Sequence, residues 1–317
     1  MNITFLDGYT INPGDISLEE LEALGTLTVY DRTADADVVA RAKGAEVLIV
    51  NKTPLNEMHF AQLPDLRLVC VAATGYDKID LNAATRHGIT VCNCAGYSSR
   101  AVAQLVASFV LEVADSVGEY TQENKNGRWC KSPDFCYTLR NRIELVGKSM
   151  AIVGFGNIGQ SVANVMRTFG VKLFAVTSKE QNSLPQDVTK ITLQEAFSKC
   201  QFISLNCPLT AQNKQFVNHT LLQTANPNLV IINTARGGLV NEYDIAIALK
   251  EGNIAAYCTD VLSTEPPIAD CPLLTAPNVY ITPHIGWNTP DARMRIVSIL
   301  ADNIKNFCDN KPTNKVN

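Results

Sequence analysis

The sequence lacks the features that mark membrane, secreted and nucleic-acid-binding proteins. No stretch reaches the roughly 18 uninterrupted apolar residues that a membrane-spanning helix requires. The first residues, MNITFLD, predict a strand and lack the basic region, apolar stretch and cleavage site of a signal peptide. The formal charge of −4 comes without any block of like charge, which argues against nucleic acid and a membrane surface as partners. We therefore expect a cytoplasmic protein whose partner is a small molecule.

Histidine is scarce, with four residues in the chain, and the ten cysteines form no metal-binding pattern. The closest cysteine pairs, Cys92 with Cys94 and Cys130 with Cys136, lack the C-x-x-C arrangement of zinc and redox sites. We predict reduced structural thiols and no metal site, as is usual in a reducing compartment.

Short apolar runs rich in β-branched residues alternate with helical or turn-rich stretches over the first hundred residues. The predicted strands are Ile3–Leu6, Leu27–Tyr30, Val47–Val50, Leu68–Val71 and Thr90–Cys92. Such alternation is typical of a parallel α/β layer. The segment Ser99–Asn124 has no proline and carries apolar residues at helical spacing, which predicts one long helix that closes this block.

The same alternation of predicted strands and helices restarts near residue 149 and predicts a second, six-stranded sheet of the mononucleotide-binding type. Its strands are predicted at Ser149–Val153, Lys172–Val176, Phe202–Leu205, Leu229–Asn233, Ala255–Asp260 and Val279–Thr282. The tail from about Thr289 to Phe307 has Ile296, Leu300 and Ile304 on one face, as in an amphipathic helix. We expect this tail to return to the first block.

A glycine-rich turn joins the first strand of the second block to a helical stretch. It reads GFGNIG from Gly154, the G-x-G-x-x-G pattern in its strand-to-helix context. Here Gly154 permits the tight turn, Gly156 lets the backbone approach a pyrophosphate, and Gly159 allows the helix to pack closely on the strand. The helix N-terminus at Asn157 and Ile158 offers N–H groups to phosphates. The turn therefore predicts dinucleotide binding.

The choice between NAD and NADP stays open in the sequence. NAD enzymes usually carry an acid at the end of the second strand, and that position here reads AVTSKE instead. Thr177 and Ser178 can bond to either form of the ribose. Lys179 is either a partner for a 2′-phosphate or a solvated loop lysine.

Four ordered segments together resemble the D-2-hydroxyacid dehydrogenase family over nearly the whole chain. They are residues 73–80 (ATGYDKID), the glycine turn, residues 233–240 (NTARGGLV) with 260–266 (DVLSTEP), and residues 282–286 (TPHIG). The resemblance implies an α/β fold of two Rossmann-like, doubly wound parallel-sheet domains. We expect a flavodoxin-like substrate-binding domain over residues 1–99 and 289–317, and an NAD(P)-binding domain over residues 100–288.

The resemblance also implies a catalytic set of Arg236, Glu265 and His284. The planar guanidinium of Arg236 can hold a carboxylate or carbonyl through paired hydrogen bonds, and it follows an apolar strand, where α/β sites form. His284 is expected to give a proton to the carbonyl oxygen in reduction and to remove it in the reverse direction. Glu265 is expected to bind the other ring nitrogen and fix the tautomer. The other three histidines, His59, His87 and His219, lie in predicted helical or helix-end segments and are expected to be surface or capping residues.

Further contacts follow from the same resemblance. The loop Ala73, Thr74 and Gly75 is expected to present backbone N–H groups to the substrate carboxylate. Asp260 is either a contact of the nicotinamide amide or a structural cap. The remaining expected cofactor contacts are Cys207, Pro208, Thr234, Ala235, Arg236, His284 and Gly286.

Two positions depart from the family's pattern, and one region indicates a branch. Asn206 stands where a histidine is common before Cys-Pro-Leu-Thr, and Gln104 replaces a glutamate of the dimer helix. The sequence around Trp287 (HIGW) and residues 95–104 (AGYSSRAVAQ) resemble the glycerate dehydrogenase, or hydroxypyruvate reductase, branch. Trp287 is either a wall of the substrate pocket or a buried aromatic at the hinge. Hydroxypyruvate and glyoxylate are the expected 2-keto acid substrates, ahead of those of the lactate and phosphoglycerate branches.

Two rivals share this fold. Formate dehydrogenase has a glutamine paired with the histidine, and Glu265 argues against it. A dinucleotide-sensing binding protein, such as the corepressors that share the triad, would bind the cofactor without turning over a substrate. The resemblance also predicts a homodimer that interlocks through the Ser99–Asn124 region.

Overall fold

The computed structural model describes residues 1–317 and divides them into two α/β units. One unit comprises residues 1–98 and 287–317, and the other comprises residues 99–286. The domain boundaries expected from the sequence are at residues 99 and 288.

Strands and short helices alternate along residues 1–98. The elements are β1 (Asn2–Phe5), α1 (Glu19–Glu22), β2 (Thr26–Val29), α2 (Val38–Ala42), β3 (Val47–Val50), α3 (Glu57–Phe60), β4 (Leu68–Val71), α4 (Leu81–Arg86) and β5 (Thr90–Asn93). All strand pairs are parallel, in the order β2-β1-β3-β4-β5. This is the flavodoxin-like order, which places loops for ligand binding at the carboxyl ends of the strands.

The second unit continues the alternation and is followed by a helix of the first unit. Its elements are α5 (Ser99–Asp115), α6 (Val117–Lys125), β6 (Ser149–Val153), α7 (Asn157–Thr168), β7 (Lys172–Val176), β8 (Val188–Lys190), α8 (Leu193–Lys199), β9 (Phe202–Leu205), α9 (His219–Leu222), β10 (Val230–Asn233), α10 (Glu242–Glu251), β11 (Ala256–Thr259) and β12 (Val279–Ile281), and α11 (Pro290–Cys308) follows. The sheet is parallel, in the order β12-β11-β10-β9-β6-β7-β8. The fold class predicted from the sequence, two doubly wound parallel sheets, is confirmed.

The predicted number of strands in the second sheet was wrong, because the sheet has seven strands and not six. The missed strand is β8, which has three residues and buries only Val188. A strand this short has no apolar run to reveal it.

The prediction of one helix over Ser99–Asn124 was also wrong. Ser116 adopts a left-handed backbone (φ 51°) and separates α5 from α6, whose axes differ by 56°. Serine, valine and glycine at residues 116–118 are weaker helix formers than alanine or leucine. The Glu112 carboxylate accepts the Gly118 N–H at 3.2 Å and thereby caps the second helix.

No single helix is long and apolar enough to cross a membrane, although the bent pair α5 and α6 reaches that length and composition together.

Two hydrophobic layers cover the sheet of the second unit. Along β6, Met150 and Ile152 face the layer that contains α5 and α7, whereas Ala151 and Val153 face the layer that contains α8 and α10. All four side chains are buried, as expected for a central parallel strand covered on both faces. The carboxyl ends of β6 and β9 are therefore held rigidly next to each other.

The C-terminal residues of the chain run antiparallel along the outer edge of β5. Val316 N–H donates to Val91 O at 2.9 Å, and Asn93 N–H donates to Asn314 O at 3.1 Å. The Asn317 side chain accepts the Val91 N–H at 2.8 Å. Before this segment, α11 packs on α1 and β4, and Thr289 caps its N-terminus by accepting the Ala292 N–H.

All ten cysteines are free thiols. Burial raises the pKa of Cys92 to about 11, and burial also raises the pKa values of Cys70, Cys94 and Cys258. These groups are therefore protonated and weakly nucleophilic at neutral pH. No group of three or more His, Cys, Asp or Glu side chains lies close enough together to hold a metal ion.

Candidate active site

The glycine turn lies at the switch point of the second sheet, where the chain leaves β6 for β7 and returns to β9. Gly154 has φ +91°, and a Cβ there would lie 2.7 Å from the backbone of Asn206 and Cys207. A Cβ on Gly159 would lie 2.2 Å from Gly154 O. These two glycines therefore let α7 and the segment after β9 approach β6 closely.

Gly156 differs from the other two glycines because open space surrounds it. A Cβ at this position would meet no atom within 4 Å. Gly156 is also the N-cap of α7, so the N–H groups of Asn157, Ile158 and Gly159 form the start of a 12-residue helix. A helix N-terminus with room in front of it fits the pyrophosphate of a dinucleotide.

Two buried oxygens at the same edge of the sheet have no protein partner. They are Oδ1 of Asn206, after β9, and the Thr234 hydroxyl, after β10. Buried polar groups are normally paired, so orphaned oxygens at a sheet switch point indicate a ligand that supplies the missing bonds. Cys207 and Pro208 follow Asn206 directly, and Cys207 is half-buried while Pro208 is exposed.

Two substitutions separate the structural glycine from the ligand-facing one. Gly159→Ala is expected to lower the free energy of unfolding by about 1–3 kcal/mol, because its Cβ would clash with Gly154 O. Gly156→Ala is expected to cost less than about 1 kcal/mol of stability, since only N-cap propensity changes. It is nevertheless expected to weaken NADH or NADPH binding on the order of tenfold or more. Chemical denaturation and cofactor fluorescence titration measure the two effects, and an equal loss of stability in both variants would contradict this division.

The end of β7 has the expected polar turn and no carboxylate before Glu180. Thr177 Oγ1 accepts the Lys179 N–H at 3.2 Å, which fixes the turn. Ser178 and Lys179 are exposed. An exposed ammonium at this strand end is available to a cofactor or to water.

Arg236 follows β10 in a turn that a buried asparagine holds. The Asn233 side chain is fully buried, donates to Arg236 O at 3.0 Å and accepts the Ala235 N–H at 3.1 Å. Arg236 is half-buried, and its guanidinium donates to Ala235 O at 2.8 Å. The turn therefore has a fixed shape, with the arginine at the carboxyl edge of the sheet. Asn233 belongs to the sequence motif, but the sequence did not predict that its side chain stabilises the Arg236 turn.

His284 and Glu265 form a close pair within the second unit. His284 Nδ1 lies 2.6 Å from Glu265 Oε2, and the two side chains are 28% and 38% exposed. The same carboxylate accepts the Leu262 N–H through Oε1 at 2.9 Å, so both of its oxygens are engaged. A ring whose Nδ1 donates to a carboxylate has its Nε2 available for proton exchange with a ligand.

The backbone of His284 is unusual, and Asp260 stabilises the segment around it. His284 has φ 56°, a left-handed conformation that few residues other than glycine adopt. The buried Asp260 carboxylate accepts the Thr282 hydroxyl at 2.6 Å, the Ile285 N–H at 2.8 Å and the Gly286 N–H at 2.8 Å. These bonds give Asp260 a structural role, because its carboxylate orients the histidine loop.

The other three histidines have structural partners. His59 completes a capping box with Asn56 at the start of α3, and His87 Nε2 lies 2.6 Å from Glu57 Oε1. The His219 N–H donates to Asp244 at the start of α9. The prediction of surface or capping roles is confirmed, because His59 caps α3 although it is buried, His87 is the C-cap residue of α4, and His219 is exposed.

The remaining predicted site residues belong to the first unit. Ala73, Thr74 and Gly75 follow β4, where the Asn93 side chain donates to Thr74 O at 2.8 Å and the Thr74 hydroxyl donates to Cys94 O at 3.1 Å. Trp287 is half-buried and is the first residue of the returning segment. Within this unit the loop after β4 is thus held by the last residue of β5 and the residue that follows it.

Comparisons with known proteins agree with the architecture. Residues 107–286 match the family model described as D-isomer specific 2-hydroxyacid dehydrogenase, NAD binding domain. A hydroxypyruvate reductase of Blautia hydrogenotrophica is 38% identical over 321 residues, which cover 100% of both chains. A glycerate dehydrogenase of Methylorubrum extorquens is 32% identical over 99% of this chain and 98% of its own.

A solved structure is similar over the same length. The NADPH-dependent glyoxylate/hydroxypyruvate reductase of Sinorhizobium meliloti, in complex with citrate, has a TM-score of 0.85 at 25% identity. The match covers 100% of this chain and 98% of that one. With the glycine turn, the His284–Glu265 pair and the Arg236 turn in place, the chain belongs to the D-isomer specific 2-hydroxyacid dehydrogenase family.

Proposed function

We propose that this protein reduces hydroxypyruvate to D-glycerate and glyoxylate to glycolate, with NADH or NADPH as the reductant. The observation that carries this proposal is the His284–Glu265 pair, with 2.6 Å between Nδ1 and Oε2, in a chain that aligns end to end with a hydroxypyruvate reductase. The pair supplies an acid for a carbonyl oxygen. The glycerate dehydrogenase relative supports the same substrate class.

The residues of the second unit fit a nicotinamide dinucleotide. The open space at Gly156, the start of α7, and the orphaned oxygens of Asn206 and Thr234 are the features that would hold it. When bound, the reduced nicotinamide supplies the hydride. Thr177 and Ser178 would bond to the adenosine ribose, and Ala235, Asp260 and Gly286 are further proposed contacts.

Substrate binding is assigned to Arg236 and the loop after β4. A 2-keto acid has a carboxylate next to its ketone, and a guanidinium can hold the carboxylate and polarise the carbonyl through its paired N–H groups. Within the first unit, the backbone N–H groups of Ala73, Thr74 and Gly75 are proposed to bind a substrate carboxylate. Trp287 is proposed as an apolar wall beside the short substrate.

Proton transfer is assigned to His284. In reduction the carbonyl carbon gains a hydride while the carbonyl oxygen takes the proton from Nε2 of His284, and the ring becomes neutral. The ketone of hydroxypyruvate becomes a secondary alcohol, and the aldehyde of glyoxylate becomes a primary alcohol. Glu265 accepts a hydrogen bond from Nδ1, which selects the tautomer and stabilises the protonated ring before transfer. In oxidation the same ring takes the proton back.

Lys179 is proposed to let the enzyme accept NADPH, since residues 177 and 178 carry no carboxylate that would repel a 2′-phosphate. Lys179→Ala is expected to lower kcat/KM for NADPH on the order of 10-fold or more, with little change for NADH, because a charge-assisted hydrogen bond is worth about 1.5–3 kcal/mol. Lys172→Ala, at the opposite end of the same strand, is the control. An unchanged ratio of the two efficiencies would show that Lys179 is a solvated loop residue.

The proposed assembly is a homodimer that uses the α5–α6 region, and the proposed location is the cytoplasm. Exposed apolar side chains near this region, Val117, Trp129 and Phe135, support an interface there. The free thiols support a reducing compartment. A monomeric mass in light scattering at micromolar concentration would refute the dimer.

The proposed function is tested by the rate of reduced-cofactor oxidation with hydroxypyruvate, glyoxylate, pyruvate and phosphohydroxypyruvate. Each acid is measured with NADH and with NADPH. We expect the highest kcat/KM with hydroxypyruvate or glyoxylate. Preference for another acid would correct the substrate alone, whereas cofactor binding without turnover of any acid would favour a nucleotide-sensing protein.

A further inference from the structure

Glu242 is an acidic side chain next to the candidate active site that takes no part in the proposed chemistry. It is the first residue of α10, directly after the N-cap Asn241, and it is half-buried. A carboxylate at this position interacts favourably with the helix dipole, and helix capping is the simplest account of it. The polar contacts of its side chain, however, are to Ser263 and Cys271, which lie outside α10.

The Glu242 carboxylate contacts both ends of the loop of residues 262–271, which carries Glu265. Its Oε1 accepts the Ser263 N–H at 2.6 Å, which is a hydrogen bond to a charged acceptor. Its Oε2 lies 3.9 Å from the thiol of Cys271, at the other end of the same loop. One carboxylate therefore bonds to the start of the loop and lies close to its other end.

The loop is also pressed against the Arg236 turn, which shows that its position is closely defined. A Cβ on Gly237 would lie 2.0 Å from the carbonyl carbon of Leu262 and 2.3 Å from Ser263 N. The Leu262 N–H then donates to Glu265 Oε1. A chain of contacts thus runs from Glu242 through Ser263 and Leu262 to Glu265, whose other oxygen meets His284.

A second line of contacts runs from Glu242 toward Arg236. Burial, and to a smaller extent the nearby Glu242 carboxylate, raises the pKa of the Tyr257 hydroxyl. That hydroxyl lies 3.3 Å from Nδ2 of Asn233, the side chain that also donates to Arg236 O. Glu242 is therefore close to residues that stabilise the Glu265 turn and to residues that stabilise the Arg236 turn.

We propose that Glu242 is a positioning residue, which fixes the Leu262–Glu265 turn and so aims the Glu265 carboxylate at His284. The inference rests on the proposed function, because it assigns Glu242 an effect on the acid of that reaction. A merely structural carboxylate at the start of α10 would change stability alone. A positioning carboxylate changes kcat in a way that depends on Glu265.

The activity test is a double-mutant cycle. Glu242→Ala is expected to lower kcat for hydroxypyruvate on the order of 10- to 100-fold, since misplacement of a reacting group by about 1 Å has an effect of this size. The KM for NADH is expected to change less than about threefold. In a Glu265→Gln background the same substitution is expected to have almost no further effect on kcat, because the carboxylate that it aims is already gone. If Glu242→Ala lowered kcat by the same factor in the Glu265→Gln background as in the wild type, the two residues would act independently and the proposal would be overturned.

Two further variants separate positioning from folding. Glu242→Gln keeps an oxygen that can accept the Ser263 N–H, so it is expected to retain more activity than Glu242→Ala and serves if the alanine variant does not fold. Asp244→Asn removes the other acid of the first turn of α10, whose carboxylate accepts the His219 N–H and does not contact the loop. It is expected to leave kcat unchanged. A loss of kcat in Asp244→Asn equal to that in Glu242→Gln would assign the effect to the helix dipole and overturn the proposal.

Amide hydrogen exchange gives a readout that does not depend on activity. In Glu242→Ala, the Ser263 amide and its neighbours are expected to exchange at least tenfold faster, while the amides of α7 keep their rates. A wild-type protein inactive on all four acids would refute the proposed function, yet this exchange experiment would still test the hold on the loop. Unchanged exchange at Ser263 would overturn the positioning role whatever the substrate.

Discussion

Replacing His284 by alanine is expected to lower kcat for hydroxypyruvate reduction about 10²- to 10⁴-fold, which is the usual contribution of a positioned general acid. The physical reason is that the forming alkoxide would have to take its proton from water instead of from Nε2. Affinity for NADH is expected to remain within about threefold, because the glycine turn and the start of α7 are untouched. Steady-state kinetics with hydroxypyruvate and fluorescence titration with NADH measure the two quantities.

A matched control for this prediction exists in the other unit. His87 Nε2 lies 2.6 Å from Glu57 Oε1, the same separation as in the His284–Glu265 pair, and its side chain is 30% exposed compared with 28% for His284. His87→Ala is therefore expected to remove a similar histidine–glutamate contact with no loss of kcat. If His284→Ala kept more than about a tenth of the wild-type kcat, His284 would not be the acid.

Arg236→Gln is expected to lower kcat/KM for hydroxypyruvate on the order of 10²- to 10⁴-fold. Two hydrogen bonds to a charged carboxylate are worth about 1.5–3 kcal/mol each, and every 1.36 kcal/mol or so corresponds to a factor of ten in rate. Arg236→Lys is expected to recover part of this loss, since an ammonium keeps the charge but not the paired geometry. Steady-state kinetics of the three proteins measure the effect.

The control for the arginine prediction is Arg167 on α7. Its guanidinium makes two hydrogen bonds to Asp187, through Nε at 2.5 Å and through Nη2 at 3.0 Å, on the surface of the same unit. Arg167→Gln therefore removes a paired arginine–carboxylate contact and is expected to leave kcat/KM unchanged. Equal activity of wild type and Arg236→Gln would remove Arg236 from the proposed site.

Central strands with buried apolar runs are among those predicted with the correct bounds. The runs Val47–Val50 and Ser149–Val153 have the bounds that the sequence predicts, because both faces of a central parallel strand must be apolar. β8 was missed since it buries one side chain at the edge of its sheet. The break at Ser116 was missed because the apolar spacing of α5 continues into the residues after it, while the interruption is a single backbone rotation.

The candidate site shows a similar division between side chains and their supports. Motif spacing in the sequence singled out Arg236, Glu265 and His284, and the structure brings the last two into contact. The supporting roles of Asn233 and Glu242 depend on hydrogen bonds to backbone atoms that lie near in space and far or unpatterned in sequence. Periodicity carries no signal for such bonds. A glycine whose missing side chain makes room for another segment, as at Gly237, is equally invisible until the second segment is located.

Residues 314–317, which run antiparallel along β5, affect how readily the first unit can aggregate through the edge of its sheet. An exposed edge of a sheet offers unpaired backbone groups to any other extended chain and is a common route to aggregation. Here Val316, Asn314 and Asn317 already use the backbone groups of Val91 and Asn93 on that edge. The opposite edge, β2, is short and mostly exposed. Release of residues 314–317 would therefore leave the outer backbone groups of β5 unpaired, so we expect these residues to protect that edge from pairing with other chains.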